Sequence, residues 1–171
     1  MQQTWGDHIM EDFFETNKIY TDKDECTLLF EMKPVSWKRP GRSGERIYDT
    51  QFALKEWFRD GVRKGLDETG FGVRYPLAKG VSLELAALFS FPLPRGKTWE
   101  RGQLCHATIP DLDNLLKFYL DTLQGVLYED DCSICSIRSE KIYVQQKGFK
   151  GMTKLRFREK DFVDTSWWGI D

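Results

Sequence analysis

Residues 110–144 read PDLDNLLKFYLDTLQGVLYEDDCSICSIRSEKIYV, and this stretch decides the fold. Leu112, Leu115, Leu116, Tyr119, Leu120 and Leu123 recur at i, i+3 and i+4, the spacing of one helix face. A helix over 112–123 follows, with Asp111 or Asp113 able to cap its start and Gly125 able to end it. Residues 126–128 read as short and extended. Residues 134–145 and 152–158 read as a strand pair joined by a Gly-containing turn. Upstream, 27–33 and 81–91 read as strands and 50–68 as a helix. Residues 34–46 and 92–110 read as loops, the first punctuated by Pro34, Pro40, Gly41 and Gly44. The order β-α-β-α-β-β points to an α+β domain with a mixed sheet and two main helices.

The 171 residues suit one domain large enough to bury a core. No apolar run approaches the roughly 20 residues of a membrane helix, and no signal-like segment opens the chain. The expectation is a cytoplasmic protein without a membrane partner, and a bacterial or phage context would suit it. Net charge is −2, but it is unevenly spread. Residues 1–25 carry −5 and 161–171 carry −3, which leaves +6 on 26–160. A basic body between acidic tails suits a polyanionic partner; a normally charged surface with solvated tails fits the same count.

Four cysteines stand at 26, 105, 132 and 135. Without a secretory signal they are expected as thiols. Cys132 and Cys135, with Cys105 and His106 upstream, make a zinc site conceivable. A structural site usually shows two tight ligand pairs, so burial is the favoured reading.

Asp111 and Asp113 stand two residues apart where a loop enters a helix, and Asp130-Asp131 follows that helix. The helix rises about 15 Å from Asp113 to Leu123. Six extended steps from Gly125 cover about 20 Å, so the chain can run back antiparallel and bring Asp131 beside Asp111. Hard cations such as Mg²⁺ take carboxylate oxygens, and a bound divalent ion suits phosphodiester hydrolysis. Lys117, four residues after Asp113, shares its helix face and can meet negative charge on a phosphate. Helix capping, a surface ion pair and a turn explain these residues one at a time. An EF-hand fails because Leu115 and Leu116 stand where Asp or Asn and Gly are required. A haloacid-dehalogenase-like phosphatase matches Asp-x-Asp, but only 17 residues separate Asp113 from Asp131, where that family has much of a domain.

The same stretch closely resembles the RusA family of Holliday junction resolvases. The family pattern joins a DLDN box, a helix lysine, a glycine, an Asp-Asp pair and an apolar-Lys strand element. Here these are Asp111 to Asn114, Lys117, Gly125, Asp130-Asp131 and Lys141. The segment KPVSWKRPGRSGERIYD resembles the family's basic, Pro-rich segment before the first helix. The resemblance implies a RusA-like domain over 27–160, with an acidic extension at 1–26 and an acidic, aromatic tail at 161–171. It also implies a homodimeric, Mg²⁺-dependent endonuclease, with Mn²⁺ a substitute, that makes paired nicks in four-way DNA junctions during recombination and repair. Asp111, Asp113 and Asp131 would bind metal, Lys117 would assist, and Asp130 would be a lesser neighbour. Ile109-Pro110 replaces a basic residue that many relatives place before the box. Cys132-Ser133 replaces their usual Ser-Gln.

DNA contacts are expected from Lys38, Arg39, Arg42 and Arg46 beside Trp37, from Arg95, Lys97 and Arg101 beside Trp99, and from Lys141. Either Trp can stack on a base, though partial burial is the commoner fate. Phe13, Phe14, Trp167 and Trp168 sit among acids and are expected to pack on the domain rather than on a partner. The rival readings are a nuclease for flaps or forks and a junction-binding protein without catalysis.

Overall fold

The computed structural model describes residues 17–98 and 104–161. Phe13, Phe14, Trp99, Arg101 and the Trp167-Trp168 tail lie outside those residues. Eight strands and two helices follow the order β1 (Asn17–Thr21), β2 (Glu25–Phe30), β3 (Gly41–Ser43), β4 (Arg46–Tyr48), α1 (Phe52–Glu68), β5 (Leu83–Pro92), β6 (Leu104–Cys105), α2 (Leu112–Leu123), β7 (Ile134–Val144) and β8 (Met152–Glu159). The main sheet has six strands in the order β1-β2-β8-β5-β7-β6, and β3 and β4 form a separate two-stranded ribbon. Strands β5 and β7 pair in parallel, and the other neighbours are antiparallel. The mixed sheet with two main helices agrees with the α+β expectation.

Alternation along β5 turns Leu83, Leu85, Ala87, Phe89 and Phe91 to the buried face. Both helices cover that face. Phe58 of α1 packs edge-on against Phe30 of β2 at 4.9 Å, Phe118 at 5.7 Å and Tyr119 at 5.8 Å, between ring centroids. The Tyr119 hydroxyl is tied to Thr153 of β8 at 3.0 Å and accepts the Val35 N–H at 3.1 Å. No helix among the described residues is long and apolar enough to cross a membrane.

Four expectations are corrected. Strands β7 and β8 are not partners, because β5 lies between them. A Gly-rich turn signals reversal of the chain, not adjacency, and the most apolar strand takes the middle of the sheet. The sheet also begins before residue 27: β1 pairs with β2 from Asn17 to Thr21. Its sequence NKIYT places only Asn17 fully inside, so it has no apolar alternation to betray it. Residues 34–46 are not all loop, since Gly41–Ser43 pairs with Arg46–Tyr48 across Gly44, at φ 61°. Residues 126–128 are not extended. The Val126 and Leu127 N–H groups both reach the Leu123 carbonyl, and Gly125 N–H donates to Tyr128 O at 2.8 Å. Val126, Leu127 and Tyr128 are all buried, so apolar side chains draw this segment into a compact turn.

Candidate metal and nucleic-acid site

Asp111 is the N-cap residue of α2 in backbone only. Its extended φ/ψ lets its carbonyl accept Leu115 N–H at 3.1 Å, but its carboxylate caps nothing. Asp113 lies in the first helical turn, and both side chains are exposed. Neither carboxylate has a partner among the described residues. Capping therefore does not account for them. Two carboxylates without a partner among the described residues face solvent at the helix start.

Strand β7 holds the chain leading to this pair. The Lys141 ammonium donates to the Thr108 and Pro110 carbonyls, both at 2.6 Å. Thr108 and Tyr143 hydroxyls meet at 3.1 Å, and His106 N–H donates to Lys141 O at 2.9 Å. The His106 ring is buried between Phe91 and Tyr143, with centroids at 4.4 and 4.3 Å, and burial lowers its pKa. Lys141, expected on DNA, is placed as a clamp on this loop.

Lys117 extends from the next turn of α2, with Nζ 4.1 Å from the Trp37 ring centroid. Trp37 itself packs partly on the core, and its N–H donates to Asn114 O at 2.8 Å. The basic segment is thus tied to the DLDN turn. Gln51, buried, accepts Lys38 N–H at 2.7 Å and donates to Ser36 O at 2.9 Å. Lys55, also buried, pairs with Asp49 at 2.9 Å and Asp121 at 3.7 Å. Sequence reasoning passed over both residues. The signal was there: Lys55 lies three residues before Phe58, on the buried stripe of α1. Lys38, Arg39, Arg42 and Arg46 are exposed. Arg95 and Lys97 are exposed in the turn after β5 and share a shallow cleft with Gln145 and Lys147.

Asp130 and Asp131 stand apart from this end of the molecule. Asp130 accepts Cys132 N–H at 3.2 Å and pairs with Lys79 at 3.1 Å; those contacts hold its pKa down at about 2. Asp131 opens a 3-10 turn, Asp131–Ser133, and is exposed. That turn leads into Ile134, whereas Lys141, whose ammonium reaches the Pro110 carbonyl next to Asp111, lies seven residues further along β7, about 23 Å of strand at 3.3 Å per residue. The antiparallel return expected for Asp131 does not occur within one chain, because the compact turn at 124–128 uses up the extended reach. Among the described residues, no three His, Cys, Asp or Glu side chains are grouped to hold a metal ion. The four cysteines are free thiols, and burial, the expectation for Cys132 and Cys135, does not hold for them: both are exposed where β7 begins, Cys105 is exposed opposite Ile142, and only Cys26 is buried, which pushes its pKa up to about 12.

Asp111 and Asp113 suit a hard divalent cation: they are close-spaced oxygen donors with no competing partner among the described residues. A family model described as Endodeoxyribonuclease RusA matches residues 31–150. No curated protein matches the chain. The matched stretch contains the DLDN turn, Lys117, Asp130-Asp131, Lys141 and the basic segment before α1. With its order of elements and these residues in place, the chain belongs to the RusA family of endodeoxyribonucleases, the Holliday junction resolvases that its sequence resembles.

Proposed function

We propose that this protein cuts four-way DNA junctions in a divalent-metal-dependent reaction, as a homodimer whose metal sites each draw on both chains. The observation that carries this reading is the Asp111–Asp113 pair, exposed and unengaged at a helix start, with Lys117 one turn on. A bound Mg²⁺, or Mn²⁺ in its place, supplies an acidified water and neutralises charge at the scissile phosphate. Asp111 and Asp113 would hold the ion. Lys117 stands over Trp37 and meets the negative charge that grows on the phosphate. Lys38, Arg39, Arg42 and Arg46 hold the flanking phosphates, joined by Arg95 and Lys97.

A dimer supplies what one chain does not group together: the partner's Asp131 can complete a set that Asp111 and Asp113 of the first chain begin. Two such sites related by a two-fold axis suit paired nicks in a two-fold junction. Asp130, already engaged by Lys79, stays outside the essential set.

Mixing two inactive variants tests this. Asp113→Asn and Asp131→Asn should each bind junctions and cut none. A heterodimer of the two carries one intact site and one doubly altered site. Remixing should give about half heterodimers and restore single-strand nicking. Cleavage by Asp113→Asn alone overturns the metal assignment. Verified heterodimers that stay silent overturn the shared site. A panel of flaps and forks beside the four-way junction shows which branched DNA is preferred.

A further inference from the structure

The β3–β4 ribbon carries two of those arginines, Arg42 and Arg46, but its exposed apolar side chains have no part in the site above. It is a sheet of its own, and residues 42–50 are all exposed. Ile47 is 73% exposed and Tyr48 52%. Lone exposed apolar residues are ordinary. This one has a particular setting. Arg42 is the cross-strand partner of Ile47, Ser43 of Arg46, and Gly41 of Tyr48. Partners share a face, so Ile47 and Arg42 stand together on one side. On the other, the Tyr48 ring lies so close over Gly41 that a Cβ there would come within 2.4 Å of it. Arg42 Nε donates to Gly44 O at 2.9 Å and braces the turn. Arg46, opposite Ser43, stands on the Tyr48 side, Lys38 and Arg39 lead into the ribbon, and Glu45 is the one acid from 38 to 48.

The root of the ribbon is firm. Trp37 N–H on Asn114 O, Gln51 on Ser36 and Lys38, and Lys55 between Asp49 and Asp121 tie both of its ends to the helices beside Lys117. An exposed apolar side chain beside an arginine, on an anchored ribbon with basic residues on both faces, matches one chemistry well. Cations take phosphates, and an aliphatic wedge takes a base step that is open. Continuous duplex hides its base faces; a branch point presents them.

We propose that the β3–β4 ribbon is the branch-sensing element, with Ile47 packed on the exposed base pair at a strand exchange point and Arg42 and Arg46 on the adjoining phosphates. This rests on the branched-DNA reading above and adds what distinguishes branched from linear DNA. The test uses the full chain without divalent metal, a four-way junction carrying 2-aminopurine at the branch, and a linear duplex of the same sequence. Ile47→Ser should lower junction affinity about tenfold, leave duplex affinity within about twofold, and remove the fluorescence rise at the branch. Arg42→Ala should weaken both substrates and lower the salt slope by about one. A variant Ile47→Ser that keeps the preference and the fluorescence overturns the ribbon's role while leaving the nuclease reading intact. If Ile47→Ser instead turns the dimer into monomers, the ribbon is a contact between copies and the proposal falls. Wild type that binds no branched DNA overturns the nuclease reading, and the ribbon proposal with it.

Discussion

Lys141 directs its ammonium at two carbonyls that flank Ile109, one residue short of Asp111. Both hydrogen bonds are charge-assisted and fix the approach to Asp111 and Asp113, the pair proposed to hold metal. Its substitution should therefore act on catalysis rather than on DNA affinity. Lys141→Met should slow junction cleavage by about tenfold and raise the Mg²⁺ needed, the scale of losing a group that positions ligands. Metal-free junction affinity and its salt slope should not change. A slope smaller by about one would place Lys141 on a phosphate instead. The residue stood out in the sequence as part of the family pattern, but its partners did not, because backbone carbonyls leave no mark in the amino-acid code. Asp111 and Asp113 were legible as a pair. Only the geometry around them shows that neither carboxylate is engaged as a cap.

At the scale of elements, the helices were the legible part. Residue spacing placed α2 at Leu112–Leu123 as found, and α1 within two residues of its start. Apolar residues at i, i+3 and i+4 are a local signal, so one segment carries all of it. Strand partners are not local: nothing in 134–158 says that β5 will separate β7 from β8. The aromatic seam that joins the layers depends on Phe58, fully buried and in ring contact with Phe30, Trp57, Phe118 and Tyr119. Phe58→Ala should cost about 3–5 kcal/mol, read from the midpoint of urea unfolding. A cost below about 1 kcal/mol would show that the seam closes over the gap.

For the molecule as a whole, the sequence revealed a basic body between acidic tails but not the distance between its aspartates. That distance was set by Val126, Leu127 and Tyr128 turning inward, a tertiary choice that overrode the extended reach. Ion pairs also make the fold sensitive to acid. Asp130 is lowered from 3.8 to about 2 by the Cys132 N–H and Lys79, Glu84 is lowered chiefly by Lys160, and Asp49 chiefly by the Gln51 N–H and by Lys55. A carboxylate with a folded pKa below its unfolded one contributes stability that is present above the unfolded value and lost as pH falls through the folded one. Urea midpoints should therefore drop as pH falls from about 4 to about 2. Asp130→Asn should flatten part of that slope, and an unchanged slope would show that the Lys79 contact contributes nothing in solution.

Strand β8 is the last of the described strands in chain order, yet it lies between β2 and β5. During synthesis, β1 and β2 leave the ribosome long before the strand that joins them to the rest. Until residues 152–159 emerge, the growing polypeptide holds two unjoined groups of strands, with β2 and β5 each exposing an edge where β8 belongs. Such edges invite pairing with other chains. A chain shortened before Met152 would lose its middle rather than its end, which makes the last strand the keystone of the nascent protein.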